Sequence, residues 1–249
     1  MMNLAEYRRT ATRLADYLPW AALVGSGVVL NKDGSFQRTA KFRGPDLDSA
    51  VAAELVAVAG RINNAVRRLG SGWSIFVEAQ RSEAATYPAS RFPDPAAALV
   101  DAERKADFEE EGSHFVSGYF LTFLWLPPAE DAARSESWLY EGRETSGVNP
   151  WELVRGFIDR TDRVLALLDG FMPECRWLDD AGTLTYLHST ISTNRHRVRV
   201  PETPVYLDAL LADQPLTGGL EPRLGNQHLR LLTITGFPGT TTPGLLDEM

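Results

Sequence analysis

Between Gly27 and Arg43 two runs of strand-forming residues flank Lys32-Asp33-Gly34-Ser35, a pattern that leaves the backbone few choices. Asp-Gly can take the positive φ angles of a tight reversal, which most residues avoid. The spacing therefore predicts a β-hairpin, Gly27 to Asn31 paired with a return strand that starts at Phe36. Successive side chains of a strand point to opposite sides. Phe36, Arg38, Ala40 and Phe42 thus share one face, and Gln37, Thr39, Lys41 and Arg43 the other. Gly25-Ser26-Gly27 lies before a strand and reads as a flexible entry to the hairpin.

Beyond the hairpin, apolar residues recur at Leu47, Val51, Leu55, Val58, Ile62, Val66 and Leu69, steps of three and four that predict one helical stripe ending at Gly70. Trp73 to Gln80 alternates as a strand does. Asp94-Pro95 supplies an N-cap and a first helical residue for a helix running to about Glu111, whose acidic end opposes the helix dipole and is expected to fray. Phe115 to Leu126 is apolar on both parities, as in a central strand covered on both faces, and Pro127-Pro128 ends it. Ala129 to Val148 is polar and weakly periodic. A long helix follows from Asn149-Pro150, with Trp151, Val154, Ile158, Leu165 and Leu168 as its inner stripe. A short strand near Cys175, a helix from about Asp180 to Thr193, a short helix around Val205 to Ala212 and a strand pair, Gly219 to Leu224 with His228 to Thr235, complete the pattern. These elements predict an α+β fold: a mixed, largely antiparallel sheet with helices packed mainly on one face. Two lobes are expected, residues 1–128 and 149–249, joined by a linker at 129–148.

The composition bounds the function. A chain of 249 residues with 44% apolar content can bury a substantial core. A net charge of −8 gives no global attraction to nucleic acid, so direct nucleic-acid binding is not expected. Cys175 is the single cysteine and can form no internal disulfide. No leader-like segment precedes the fold, and Leu18 to Leu30 falls short of the roughly 20 residues a spanning helix needs. The cytosol is the expected compartment.

The hairpin region, from Asp16-Tyr17-Leu18-Pro19-Trp20 to Phe42-Arg43-Gly44-Pro45-Asp46-Leu47-Asp48-Ser49, resembles the start of TrbE-type proteins, the conjugative-transfer ATPases of the CagE/TrbE/VirB family that power type IV secretion. Leu184-Thr185-Tyr186-Leu187-His188-Ser189-Thr190, Val200 to Asp213, Leu216 to Gly225, Gly236-Phe237-Pro238 and Thr242 to Glu248 resemble the same family. The resemblance implies a non-catalytic assembly and docking region that precedes a motor, peripheral at the inner face of the bacterial inner membrane. It also implies other secretion components as partners and homo-oligomerisation of the full-length protein. ATP and magnesium are then expected only in the motor, and no catalytic or cofactor residue carries over.

The residues themselves agree that chemistry is not encoded here. A P-loop needs Gly-x-x-x-x-Gly-Lys followed by Ser or Thr, and Lys32, Lys41 and Lys105 follow Asn31, Ala40 and Arg104. His114, His188, His196 and His228 lack the spacing of a metal site, and Cys175 has no second cysteine at ligand distance. Asp179-Asp180 reads as a helix cap, and Leu165 to Asp169 as core helix ending in an acid.

Two features are candidate partner surfaces. Tyr17, Leu18, Pro19 and Trp20 end a basic amphipathic segment from Leu4 and serve either to cover the core or to dock on a membrane-embedded partner or the bilayer. Arg195, Arg197 and Arg199 fall on one side of an extended run and read as a solvated edge, a protein interface or a nucleic-acid contact. A free-standing enzyme and a nucleic-acid-contacting module remain the alternative functions. Thr242-Pro243 followed by Leu245-Leu246 opens like a helix of which too few turns are present to be stable alone, so the polypeptide is expected to continue into an ATPase motor.

Overall fold

The computed structural model describes residues 11–47, 49–84, 86–110, 114–128, 150–233 and 235–236. Six helices and nine strands alternate along them: α1 (Leu14–Tyr17), β1 (Trp20–Gly25), β2 (Val28–Asn31), β3 (Phe36–Arg43), α2 (Ala52–Val66), β4 (Trp73–Glu83), α3 (Pro95–Glu110), β5 (Phe115–Trp125), α4 (Pro150–Asp169), β6 (Glu174–Trp177), α5 (Asp180–Ile191), α6 (Leu207–Leu211), β7 (Leu216–Thr217), β8 (Arg223–Leu224) and β9 (Gln227–His228).

The predicted hairpin is β2 and β3, in the register Val28↔Arg38 and Leu30↔Phe36. Its turn differs in detail from the sequence reading. Only Gly34 takes a positive φ, 82°, and Asn31 N–H donates to Ser35 C=O across three intervening residues. This is a three-residue loop with glycine in the left-handed position, and Asp33 instead accepts hydrogen bonds from the Ser35 backbone and hydroxyl. The Gly25-Ser26-Gly27 stretch is no loose entry, because it turns a further strand, β1, back onto β2. Gly27 has φ 65°, and a Cβ there would lie 2.3 Å from the Leu178 carbonyl oxygen, so no other residue fits.

The main sheet runs β1-β2-β3-β5-β4, with β6 pairing the far half of β3 beyond β2, and every pairing is antiparallel. The α+β class and the antiparallel sheet are as expected. Helices, however, cover both faces. The long α2 and α4 lie on the face of Phe36 and Ala40, where Phe157, Val164, Leu165 and Leu168 pack against Leu121, Phe123 and Trp125. A second layer, α5 and α6, covers the opposite face with Leu184, Leu187, Leu207 and Leu211 around Val29, Leu18 and Trp20. The cause is that β2, β3 and β5 bury residues of both parities, so neither face can be left to solvent.

Four expectations shift further. The inner stripe of α4 is Val154, Phe157, Thr161, Val164, Leu165 and Leu168, while Trp151 is exposed. The helix α2 presents few buried side chains, with Ala65 innermost, and leaves Val51, Val56 and Ile62 open. The final strand pair is reduced to the short ladder β7-β8-β9. The basic amphipathic segment from Leu4, expected to be helical through Leu18, is helical among the described residues only in α1, since Arg13 ahead of it is extended at φ −119° and ψ 155°; residues 1–10 lie outside the described residues. The linker at 129–148 and the helix start at Thr242 lie outside them too. Segments on either side of that linker share one sheet, since β6 pairs with β3 through Ala40↔Trp177 and Arg43↔Glu174.

Phe157 is fully buried and sits among Phe36, Trp73 and Trp125, with ring centroids 5.9, 5.6 and 6.4 Å away. Phe157→Ala is expected to remove about 3–5 kcal/mol of stability through the cavity it leaves. Urea unfolding followed by tryptophan fluorescence measures this, and a loss under about 1 kcal/mol would show that the cluster is not the core of that face.

Candidate functional site

The face carrying α5 is buried near β2 and open near the far ends of β4 and β5. A polar chain marks the border. The Thr39 and Thr122 hydroxyls lie 2.9 Å apart, the Tyr186 hydroxyl donates to Glu78 Oε2 at 2.7 Å, and Gln80 Nε2 donates to Glu78 Oε1 and to Ser189 Oγ, both at 2.8 Å. Burial, reinforced by the Glu78 carboxylate, holds the Tyr186 phenol far above its ordinary pKa, so it stays a donor. These bonds fasten α5 to β4 and β5.

Beyond Tyr186 opens a cleft of about 600 Å³. Its floor is Phe120 and Tyr186, whose rings lie 4.5 Å apart, and its walls include Gln80 and Ser82 of β4 and Trp177 of β6. Three guanidinium groups, from Arg176, Arg195 and Arg197, stand around it. Arg195 donates to the Ser189 carbonyl oxygen at 2.8 Å, and the exposed Arg176 donates from Nε to Glu174 Oε1 at 2.9 Å. The acid in the wall, Asp179, is engaged as the N-cap of α5, accepting from Gly182 N–H at 2.6 Å. The cleft is therefore cationic on a protein of net charge −8. Forked guanidinium donors match carboxylate and phosphate oxygens.

Of the arginine run, the structure brings Arg195 and Arg197 to this cleft and leaves Arg199 off its wall. The segment is extended: the His196 ring lies tilted against His188, centroids 4.5 Å apart, and Val198 packs toward the core, so the arginines alternate outward. The aromatic group at the end of α1 divides. Leu18 and Trp20 are each only 7% exposed and belong to the core, whereas Pro19 and Tyr17 (65% exposed) are on the surface.

Arg176, Phe120, Gln80 and Ser82 escaped the sequence reading, because nothing along the chain links residues that distant. The one available signal was alternation: Gln80 and Ser82 share a parity in their strand. Asp180, read with Asp179 as a cap, instead accepts from Gly27 N–H at 2.7 Å and ties the β1-β2 turn to α5. Among the described residues, no group of three potential metal ligands occurs, and no helix is long and apolar enough to cross a membrane.

Residues 27–133 match the family described as Type IV secretion system ATPase VirB4/TrbE, N-terminal domain. The chain is 33% identical over a 267-residue alignment to the conjugal transfer protein TrbE of Rhizobium radiobacter, an alignment that covers all of this chain and 32% of that relative. In Sinorhizobium fredii (strain NBRC 101917 / NGR234) a probable conjugal transfer protein TrbE is described as two separate pieces. The chain is 42% identical to the first piece over 130 residues, covering 51% of this chain and 87% of that relative. It is 33% identical to the second piece over 66 residues, 26% of this chain and 10% of the relative. These matches define an N-terminal region of the VirB4/TrbE type. The chain belongs to the VirB4/TrbE family of conjugal transfer proteins, and it spans about a third of the Rhizobium TrbE.

Cys175 lies in the core beside Ala40 and Leu168, and burial, with Asp169 nearby, pushes its thiol up to about 11. At pH 8 the native thiol should therefore stay protonated and react with an aromatic disulfide reagent at least about tenfold more slowly than in the urea-unfolded chain. Equal rates would place the thiol in an accessible, activating environment.

Proposed function

We propose that this chain is the assembly element of a TrbE-type ATPase: it docks the ATP-hydrolysing motor on the inner-membrane channel of a conjugal secretion system and performs no chemistry itself. The observation that carries the reading is the arginine-lined cleft, a local cationic surface on an acidic domain of a family named for a secretion ATPase. Alignment with only 32% of a TrbE leaves the larger share of such a protein to hold ATP and magnesium. In this reading the domain is cytoplasmic and peripheral at the inner membrane, its partners are other secretion components, and the full-length protein forms a homo-oligomer. A nucleic-acid role draws on the same arginines, but the charge of −8 works against it.

Two experiments test the reading. In the full-length protein, Arg176→Glu, Arg195→Glu and Arg197→Glu together should leave thermal unfolding within a few degrees of the parent, because all three are exposed. Sedimentation with membranes of conjugation-competent cells should fall about tenfold; unchanged sedimentation overturns the docking role of the cleft. The chain of 249 residues alone should neither bind ATP tightly nor hydrolyse it, since none of its lysines follows a glycine. Micromolar ATP affinity by calorimetry, or turnover that survives repurification, would overturn that claim.

A further inference from the structure

Strand β4 is paired on one side. Its register with β5 runs without a shift from Trp73↔Trp125 to Glu83↔Phe115, and among the described residues no strand lies along its second side. The ends of the ladder fix which backbone groups are free. Leu126 N–H donates to Gly72 C=O, and Ala84 N–H donates to His114 C=O. Hydrogen-bonded pairs alternate in an antiparallel ladder, so the even-numbered residues between these ends bond to β5. The odd-numbered ones, Ile75, Val77, Ala79 and Arg81, turn their N–H and C=O groups to the free edge.

Natural sheets blunt such an edge with proline, lysine, a bulge or a short strand. The 11 residues of β4 contain no proline and no lysine, and the register shows no bulge; of its charged residues, Glu78 is bonded to Tyr186 and Gln80, Arg81 lies over the Phe115 ring and Glu83 stands at the strand end. Apolar side chains stand open along it, Phe76 at 55% and Val77 at 69% exposed. A long edge of regular register with open apolar side chains is a template for another strand.

The two faces beside the edge say what that strand must carry. The odd face presents Ile75 and Val77 with Tyr119 of β5, an exposed apolar patch, followed along the strand by Arg81 and Glu83. The even face presents Phe76 at one end and, further along, Gln80 and Ser82, which line the same cleft as Arg176, Arg195 and Arg197. A strand added to β4 shares its faces, so its side chains would alternate between the face of Ile75 and Val77 and the face on which the arginine-lined cleft opens. The carboxylates already nearby are engaged, Glu78 by Tyr186 and Gln80, Asp179 by Gly182.

We propose that an extended segment of a partner protein pairs with the free edge of β4, with apolar side chains over Ile75 and Val77 and carboxylates toward Arg195 and Arg197. This rests on the docking reading for the existence of a partner and names the chemistry of the segment that docks.

The test uses the full 249-residue chain and a fluorescent ten-residue peptide alternating valine and glutamate, followed by anisotropy, with a lysine-for-glutamate peptide and an oligothymidine as comparators. The glutamate peptide should bind at least about tenfold more tightly than either comparator. Ala79→Pro removes an outward N–H and leaves the β4-β5 ladder intact, a placement in which sheets tolerate proline; it should abolish binding and barely change the melting temperature. Val77→Glu, at an exposed position, serves as the second variant and should weaken binding at least about fivefold. Arg195→Glu with Arg197→Glu should weaken the glutamate peptide about tenfold and favour the lysine peptide. No binding to the parent chain, equal binding of lysine peptide or oligothymidine, or indifference to both Ala79→Pro and Val77→Glu would overturn the proposal. A dimer of the chain that Ala79→Pro dissolves would overturn it in favour of self-pairing. Absent peptide binding with arginine-dependent membrane sedimentation intact removes this edge and leaves the docking reading standing.

Discussion

Everything in this domain is positioned from β3. It is bonded along one edge to β5 and along the other to β2 and β6 end to end, and two of its adjacent residues carry polar groups into opposite faces. On one face Arg38 donates to Asp162 Oδ1 at 2.6 Å and lies 4.0 Å from the Trp177 ring centroid, while Trp177 Nε1 donates to the same carboxylate. On the other, Thr39 meets Thr122 and, through it, Tyr186. A buried guanidinium without its partner is strongly destabilising. Burial lowers the Arg38 pKa and Asp162 opposes that fall. The pair thus fixes where α4 crosses the sheet, a choice that apolar contacts alone leave degenerate.

The second helix layer is pinned more tightly than its size suggests. Gly27 N–H donates to Asp180 at the start of α5, Leu178 N–H donates to Thr39 C=O, and Asp179 caps the helix, so its first turn is held by β2, by β3 and by itself. At the other end Lys32, in the hairpin turn, reaches Asp208 of α6 at 2.7 Å and the Ala15 carbonyl at 3.0 Å. The residues read first as a hairpin signal thereby also hold α1 and α6. With α5 so fixed, the arginine-bearing segment that follows it has a defined position over the sheet, and a cleft between the two has a shape rather than an average.

Local chemistry was legible in the sequence where a residue acts on its own neighbours. The parity of Phe36 to Arg43, the cap at Asp94 and the cap at Asp179 all stand, because alternation and capping are decided within a few residues. What depends on distant pairing was not legible. Of the stripe expected for α4, Val154, Ile158, Leu165 and Leu168 face the core and Trp151 does not, while Thr161 and Phe157 also point inward because Arg38 and the Trp73-Trp125 stack lie opposite them. The helix at Asp180 is legible, but its place over a second face of the sheet is not, because Asp180 to Ile191 mixes polar and apolar residues on every side; its Tyr186 and Ser189 are buried or half-buried as hydrogen-bonding groups. Of the arginine run, alternation gave the common side but not which members reach a cleft, since Phe120 and Gln80 come from strands more than seventy residues earlier.

The long β4-β5 ladder shows how one element can serve both stability and recognition. Near Trp73 and Trp125 it lies under α4 and contributes to a stacked aromatic core. Toward Glu83 and Phe115 the same register continues, but the side chains open to solvent, and the contacts there are local: Arg81 over the Phe115 ring, Tyr87 to Asp101 of α3, and Phe108 stacked on His114. The inner half holds the register, so the outer half keeps a defined strand geometry without a helix covering it. A backbone edge that is ordered yet unpaired loses little conformational entropy on binding. It can therefore select a partner by side-chain pattern, and it does so beside the cleft in which this acidic chain gathers Arg176, Arg195 and Arg197.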